Sequence, residues 1–305
     1  MPQIDLTNDD IRVLIDPERG CAIDGLMLGD QQGRWVPVLR PKDQGGGSFL
    51  MLPWTNRVAG ARFSFDGKDY ALSPNHPDGT AIHGIGRDHP WSILDRSPFS
   101  ARMALDSRLI ERPACPFDFG ALFRVELIGS SVQIELSVTN LGDHPMPCGL
   151  GHHPYFMRTL FDPDDQLSIR ANVGGRYPCQ DQIPTGAMVN DEVSRSLRAG
   201  GPIGNPDLDD VFGGFDGSAE LTWDASKVRC TIECSDALGH LVVFTPRVAD
   251  SDQTPPPPQP WVCVEPVSMV NDGFNRFEDQ QGTGVRVLGP GETLASTMTL
   301  GFDSI

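Results

Sequence analysis

Proton-transfer chemistry is suggested first by two short stretches of the chain. In "GLGHHPYF" two histidines, His152 and His153, stand side by side ahead of Pro154, Tyr155 and Phe156. In "WVCVEP" a carboxylate, Glu265, closes an apolar run. A glutamate at an apolar strand end loses water, which raises its pKa, while a cationic or donating neighbour lowers it. Histidine gives and takes a proton near neutral pH with little perturbation, so a carboxylate and an imidazole make a natural base and acid pair. Either histidine could instead pack among the aromatics, and Glu265 could belong to a structural ion pair. Two more stretches carry polar groups that a plain strand would not need: "TNRVAGARF", with Asn56 and Arg57 at a hairpin edge, and "AIHGIGRDHPW", with His83 before a glycine-rich turn that ends in Trp91. No HxH or HExxH spacing is present, which argues against a metal site.

The elements that must hold these residues read as strands. In "FRVELIGSSVQIELSV", Phe123, Val125 and Leu127 alternate with polar residues up to Gly129-Ser130-Ser131, after which Val132, Ile134, Leu136 and Val138 alternate again. That period of two predicts a β-hairpin. "ARFSFDGKDYAL" carries an Asp66-Gly67 turn, "KVRCTIECSDALGHLVVFTP" holds two more strands, and "VRVLGPGETLASTMTLGF" is expected to form a terminal hairpin. Helical periodicity is nearly absent, and 33 glycines and 27 prolines punctuate the strands. The expectation is an all-β protein, a large antiparallel β-sandwich, with residues 1–305 forming one domain. The proline run at 254–260 is expected to be a stiff loop ahead of the "WVCVEP" strand.

Composition narrows the partners. A formal net charge of -17 works against nucleic acid and anionic membranes, because such binding draws on Lys and Arg. No apolar run approaches the roughly 18–20 residues of a membrane helix. The acidic N-terminal stretch lacks the features of a signal peptide, so a cytoplasmic location is expected, as a monomer or loose homodimer. Seven cysteines without a CxxC pair suit neither a disulfide framework nor a four-ligand zinc site.

Taken in order, these stretches resemble the aldose 1-epimerase family, the galactose mutarotase-like enzymes. The resemblance rests on Asn56-Arg57 with Arg62-Phe63, His83-Gly84, His153-Pro154-Tyr155-Phe156, the segment from Asp209 to Phe212, and Glu265. It implies a sandwich of that family acting on a small sugar without metal or cofactor. His153, two residues before the tyrosine, is then similar to the catalytic histidine, with His152 a neighbour. Glu265 is similar to the general base, His83 to a second active-site histidine, Arg57 to the arginine that holds the sugar, and Asp209 to the aspartate that binds hydroxyls. Asp210 is adjacent, and only spacing separates the two.

The implied reaction is interconversion of aldose anomers, with His153 as imidazolium acid and Glu265 as ionised base. Surrounding negative charge would favour that imidazolium. Trp91 or Phe274 is expected from composition to pack on the sugar. His152 before the motif and Met157-Arg158 after it depart from the well-known galactose mutarotases and leave the sugar open. Alternatives are a sugar-phosphate 1-epimerase, for which Arg87 and Arg158 are the candidate phosphate ligands, and a noncatalytic sugar-binding sandwich.

Overall fold

The computed structural model describes residues 3–111, 114–249, 251–278 and 282–305. The hairpin read from the alternating pattern is present as Phe119–Ile128 and Ser131–Asn140, paired from Phe119 opposite Asn140 to Ile128 opposite Ser131. Gly129 turns the chain at φ +56, a conformation that a side chain would strain. Phe123, Val125, Ile134, Leu136 and Val138 are buried on one face, each worth about 1.5–3 kcal/mol of burial.

Six more strands extend this pair into an eight-stranded antiparallel sheet. Ser92–Arg96 and Ser100–Asp106 lie on one side; Thr293–Ser304, Val228–Cys234, Ser218–Trp223 and Leu167–Ala171 lie on the other. The terminal hairpin expected from "VRVLGPGETLASTMTLGF" does not form. Arg286–Leu288 pairs with Met146–Cys148, while Thr293–Ser304 is held between Ser131–Asn140 and Val228–Cys234. Both sides of that long strand are occupied, which leaves its neighbour in sequence to find another partner.

A seven-stranded sheet carries Asp209 and Glu265. Its order runs Gly175–Arg176, Asp209–Gly213, His240–Phe244, Trp261–Val267, Gly151–His152, Leu50–Met51, with Tyr155–Met157 also paired to Trp261–Val267. Phe156, Phe212, Leu241, Val243, Val262 and Val264 on one face are fully buried in the main hydrophobic core, which the large sheet also lines. The opposite face bears a smaller cluster containing Met51, Val211, Val242 and Val267. The proline run packs as a loop: Pro257 accepts from the Val248 N–H, Pro260 from the Arg158 N–H, and Arg247 donates to the Pro256 carbonyl. Among the described residues, no helix is long and apolar enough to cross a membrane.

Candidate active site

The strand Trp261–Val267 has two partners along one edge, Gly151–His152 near its end and Tyr155–Met157 near its start. Gly151 lies opposite Val267 and Tyr155 opposite Cys263. The break between these partners falls at His153-Pro154, and the same register sets His153 opposite Glu265. Pro154 has no N–H to give a ladder, while the His153 and Tyr155 N–H groups bond to the Phe49 and Gly47 carbonyls instead. Cross-strand partners share a face, so two rows form on the side away from the main core. One row holds Val211, Val242, Glu265 and His153; the next holds Asp209, Phe244, Cys263 and Tyr155.

In the first row His153 Nε2 lies 3.2 Å from Glu265 Oε1, with both residues buried. His152, one residue earlier, points to the other face and is 1 % exposed. Burial holds its pKa down at about 4. Asp209 belongs to the Glu265 face. Asp210 points the other way and is bound to Arg176 Nη1 at 2.8 Å.

His153 stacks with two rings, Phe49 at 4.4 Å and Tyr155 at 4.7 Å, which themselves lie 6.3 Å apart. Each ring also carries an arginine. Arg87 lies 4.8 Å from the Phe49 centroid, and Arg40 lies 3.9 Å from Tyr155 and 4.6 Å from Trp261. The His83 ring meets His153 edge-on at 5.1 Å. His83 sits at φ +65 with its N–H on the Asn56 carbonyl, and Gly84 follows at φ +67. Arg57 is fixed by Asp78, whose Oδ2 accepts from its Nε at 2.9 Å, and by Asn56, whose Oδ1 accepts from its N–H and Nη1.

Electrostatics follow from this packing. Burial raises Glu265 well above the ordinary carboxyl value, and the nearby Asp209 charge adds to it. Burial likewise raises Asp209, with Arg57 opposing. Burial, then Arg87 and Arg40, lower His153 to about 3, while burial and the charges of His153, Arg87 and Arg57 keep His83 well below its ordinary value. Burial acts to raise the Asp78 carboxyl, but bonds from Thr80, Arg57 and His76 outweigh it and hold the group low. These shifts run against the imidazolium and carboxylate expected from the acidic surroundings. Desolvation disfavours both charges of the buried pair, and the Arg87 and Arg40 charges add to the fall at His153, so the two shifts favour a neutral imidazole and a protonated carboxyl.

A family model described as aldose 1-epimerase matches residues 2–301. The chain belongs to the aldose 1-epimerase family. It is 26 % identical to the Escherichia coli K12 protein YphB, itself uncharacterized, over 280 residues, covering 88 % of this chain and 91 % of that one. Its fold is similar to that of a galactose mutarotase-like protein from Clostridium acetobutylicum, with TM-score 0.84 at 17 % identity, covering 99 % of this chain and 95 % of the other. It is also similar to that of galactose 1-epimerase from Lactobacillus acidophilus, with TM-score 0.76 at 19 % identity, covering 99 % and 94 %.

Within this epimerase fold, His153, Glu265, His83, Asp209 and Arg57 come together from five separate segments. Asn56 is 4 % exposed, and its carbonyl oxygen serves Arg57. Trp91 does not join these residues. It is fully buried, bonds through its indole N–H to the Gly86 carbonyl and packs on Phe123 in the main core. Phe274 is likewise a core residue, against Phe63 and Trp54. Arg87 stands beside the histidines. Arg158 is turned to the Gly204 carbonyl and lies close enough to Arg247 for their charges to repel. Arg40, Phe49 and Asp78 were not foreseen, since nothing local in sequence ties them to the motifs. Cys263 could have been found, because two residues along a strand from Glu265 is the same face.

Proposed function

We propose that this protein is a mutarotase, interconverting the α and β anomers of a free aldose by opening and closing its ring. The observation that carries the reading is the buried His153–Glu265 pair, 3.2 Å apart on one face with Arg57, Asp209 and His83 around it. His83 Nδ1, His153 Nδ1 and Glu265 Oε2 are buried without hydrogen-bond partners among the described residues, as befits a cleft that receives hydroxyl groups.

The pair holds one proton, and moving it across gives the carboxylate and imidazolium. A C1 hydroxyl donating to Glu265 and a ring oxygen accepting from His153 both favour that ionic form. Glu265 then takes the C1 hydroxyl proton as His153 protonates the ring oxygen, and the bond between C1 and the ring oxygen breaks to leave an open-chain aldehyde. This step returns Glu265 to its protonated form and His153 to neutral imidazole, the resting state of the empty cleft. Rotation about C1–C2 presents the other carbonyl face, and the two groups reverse roles to close the ring. Arg57 and Asp209 orient hydroxyls, and neutral His83 bonds to the ring oxygen or a neighbouring hydroxyl.

Polarimetry or proton NMR of freshly dissolved single anomers of galactose, glucose, arabinose and fucose, with sugar phosphates alongside, tests the reading. Glu265→Gln and His153→Asn are expected to lower turnover by about a hundredfold or more while circular dichroism stays unchanged. Near-normal turnover in either variant removes that residue from the reaction. Acceleration of sugar phosphates alone changes the substrate, and failure with every sugar leaves a binding protein.

A further inference from the structure

Cys263 has no part in the proton transfers, yet it is built into their surroundings. It lies two residues before Glu265 on the same strand face, opposite Tyr155 across the ladder, and is fully buried. Its Sγ, a ring nitrogen of His153 and a carboxylate oxygen of Glu265 lie within 4.8 Å of one another. A tetrahedral zinc ion, with bonds of roughly 2.0–2.1 Å to nitrogen or oxygen and 2.3 Å to sulfur, sets its donors roughly 3.3–3.6 Å apart. The His153–Glu265 separation of 3.2 Å is already close to that spacing, and the thiol must close by roughly 1.5 Å at most.

One nitrogen, one sulfur and one oxygen donor form the kind of three-ligand set that leaves a fourth position for water or a hydroxyl. Sulfur also biases the site toward thiophilic ions over magnesium or calcium. The remaining carboxylate oxygen, Glu265 Oε2, and His153 Nδ1 are buried without partners among the described residues, so neither is committed there to a bond that ligation would break.

We propose that His153, Cys263 and Glu265 form a binding site for a thiophilic divalent cation of the zinc type, which displaces the proton of the catalytic pair and blocks the reaction. Binding releases two protons, one from the Cys263 thiol and one from the Glu265 carboxyl, so the ion's two charges are balanced by thiolate and carboxylate while His153 binds as neutral imidazole. No oxidation or reduction is involved. The site departs from the metal-free expectation because its ligands come from two different segments and follow no local spacing motif.

Protein freed of metal by EDTA and dialysed is titrated with cadmium, following the ultraviolet band of thiolate-to-cadmium charge transfer, and with zinc by calorimetry. One equivalent is expected to bind. Cys263→Ser is expected to lose the cadmium band and to weaken zinc by about a hundredfold or more, and Cys179→Ser, at a half-buried thiol elsewhere, to retain both. If Cys263→Ser folds poorly, His153→Asn carries the same test, with weakened zinc binding expected. No band in the wild type, or an undiminished one in Cys263→Ser, overturns the proposal. The outcome is separable from that for mutarotation: metal binding without anomer exchange removes only the functional reading, and exchange with no metal bound removes only this one.

Discussion

Asp78 shows how a residue outside the pair can govern Arg57, the side chain proposed to hold the sugar. The arginine side chain is long and flexible, and its planar guanidinium is useful in a binding site only if its direction is fixed beforehand. Asp78 and Asn56 supply that constraint through bonds to Nε and Nη1. Asp78→Asn keeps the shape of the partner but removes its charge, so the arginine remains present and less firmly held. We expect KM for the preferred aldose to rise by about tenfold, equivalent to about 1.4 kcal/mol, with kcat changed much less. A fall in kcat at unchanged KM would instead place Arg57 at the reacting centre. Asp78 was hidden in sequence because "HPDGT" reads as an ordinary turn, and Asp78 also makes that turn's own bonds, to Thr80. Trp91 failed for the opposite reason, because a tryptophan beside a motif looks the same whether it lines a cleft or fills a core.

At the scale of elements, the segment around His83 depends on a close backbone approach. Gly84 bridges Leu52 in parallel fashion, and the Leu52 carbonyl accepts from the Ile85 and Gly86 N–H groups. A Cβ at Gly84 would stand 1.9 Å from the Leu52 oxygen, at a φ of +67 that already disfavours a side chain. Gly84→Ala is therefore expected to destabilise the protein by roughly 2–5 kcal/mol, or to fold with the His83 segment displaced. Chemical denaturation together with the rate of anomer exchange distinguishes the two. A variant with wild-type stability and rate would show that the two segments need not approach so closely. "HG" was readable as a motif, but its glycine is required by a strand end more than thirty residues away.

For the molecule as a whole, buried histidines tie stability to pH. His152 is held at about 4 when folded, against 6.5 when unfolded. Between these values the unfolded chain binds a proton that the folded chain does not, so acidification through this window favours unfolding. This one residue makes the protein less stable at pH 5 than at pH 7 by on the order of 2 kcal/mol. Glu265 acts with the opposite sign, since its folded value is raised: it favours the folded state below its unfolded value, and that contribution is lost as pH rises. Comparing His152→Asn with the wild type cancels that term. The variant is expected to be less stable at neutral pH but to lose about 2 kcal/mol less than the wild type between pH 7 and pH 5, read from denaturation midpoints. An equal loss in both proteins would show that His152 is not held neutral.

The sequence by itself determined the all-β class, the long hairpin, the family and the segments that meet around His153 and Glu265, because alternation of period two and the order of short motifs are local properties of the chain. The tertiary structure decided which of two adjacent histidines faces Glu265, since only the pairing of Gly151 with Val267 and Tyr155 with Cys263 selects the face. It also separated Asp209 from Asp210, placed Arg40 and Arg87 over the rings that stack with His153, and shifted His153 and Glu265 against the charges expected of them. The physical reason is common to all of these. Desolvation and the field at a buried group depend on what packs around it from distant segments, and no local run of residues contains that information.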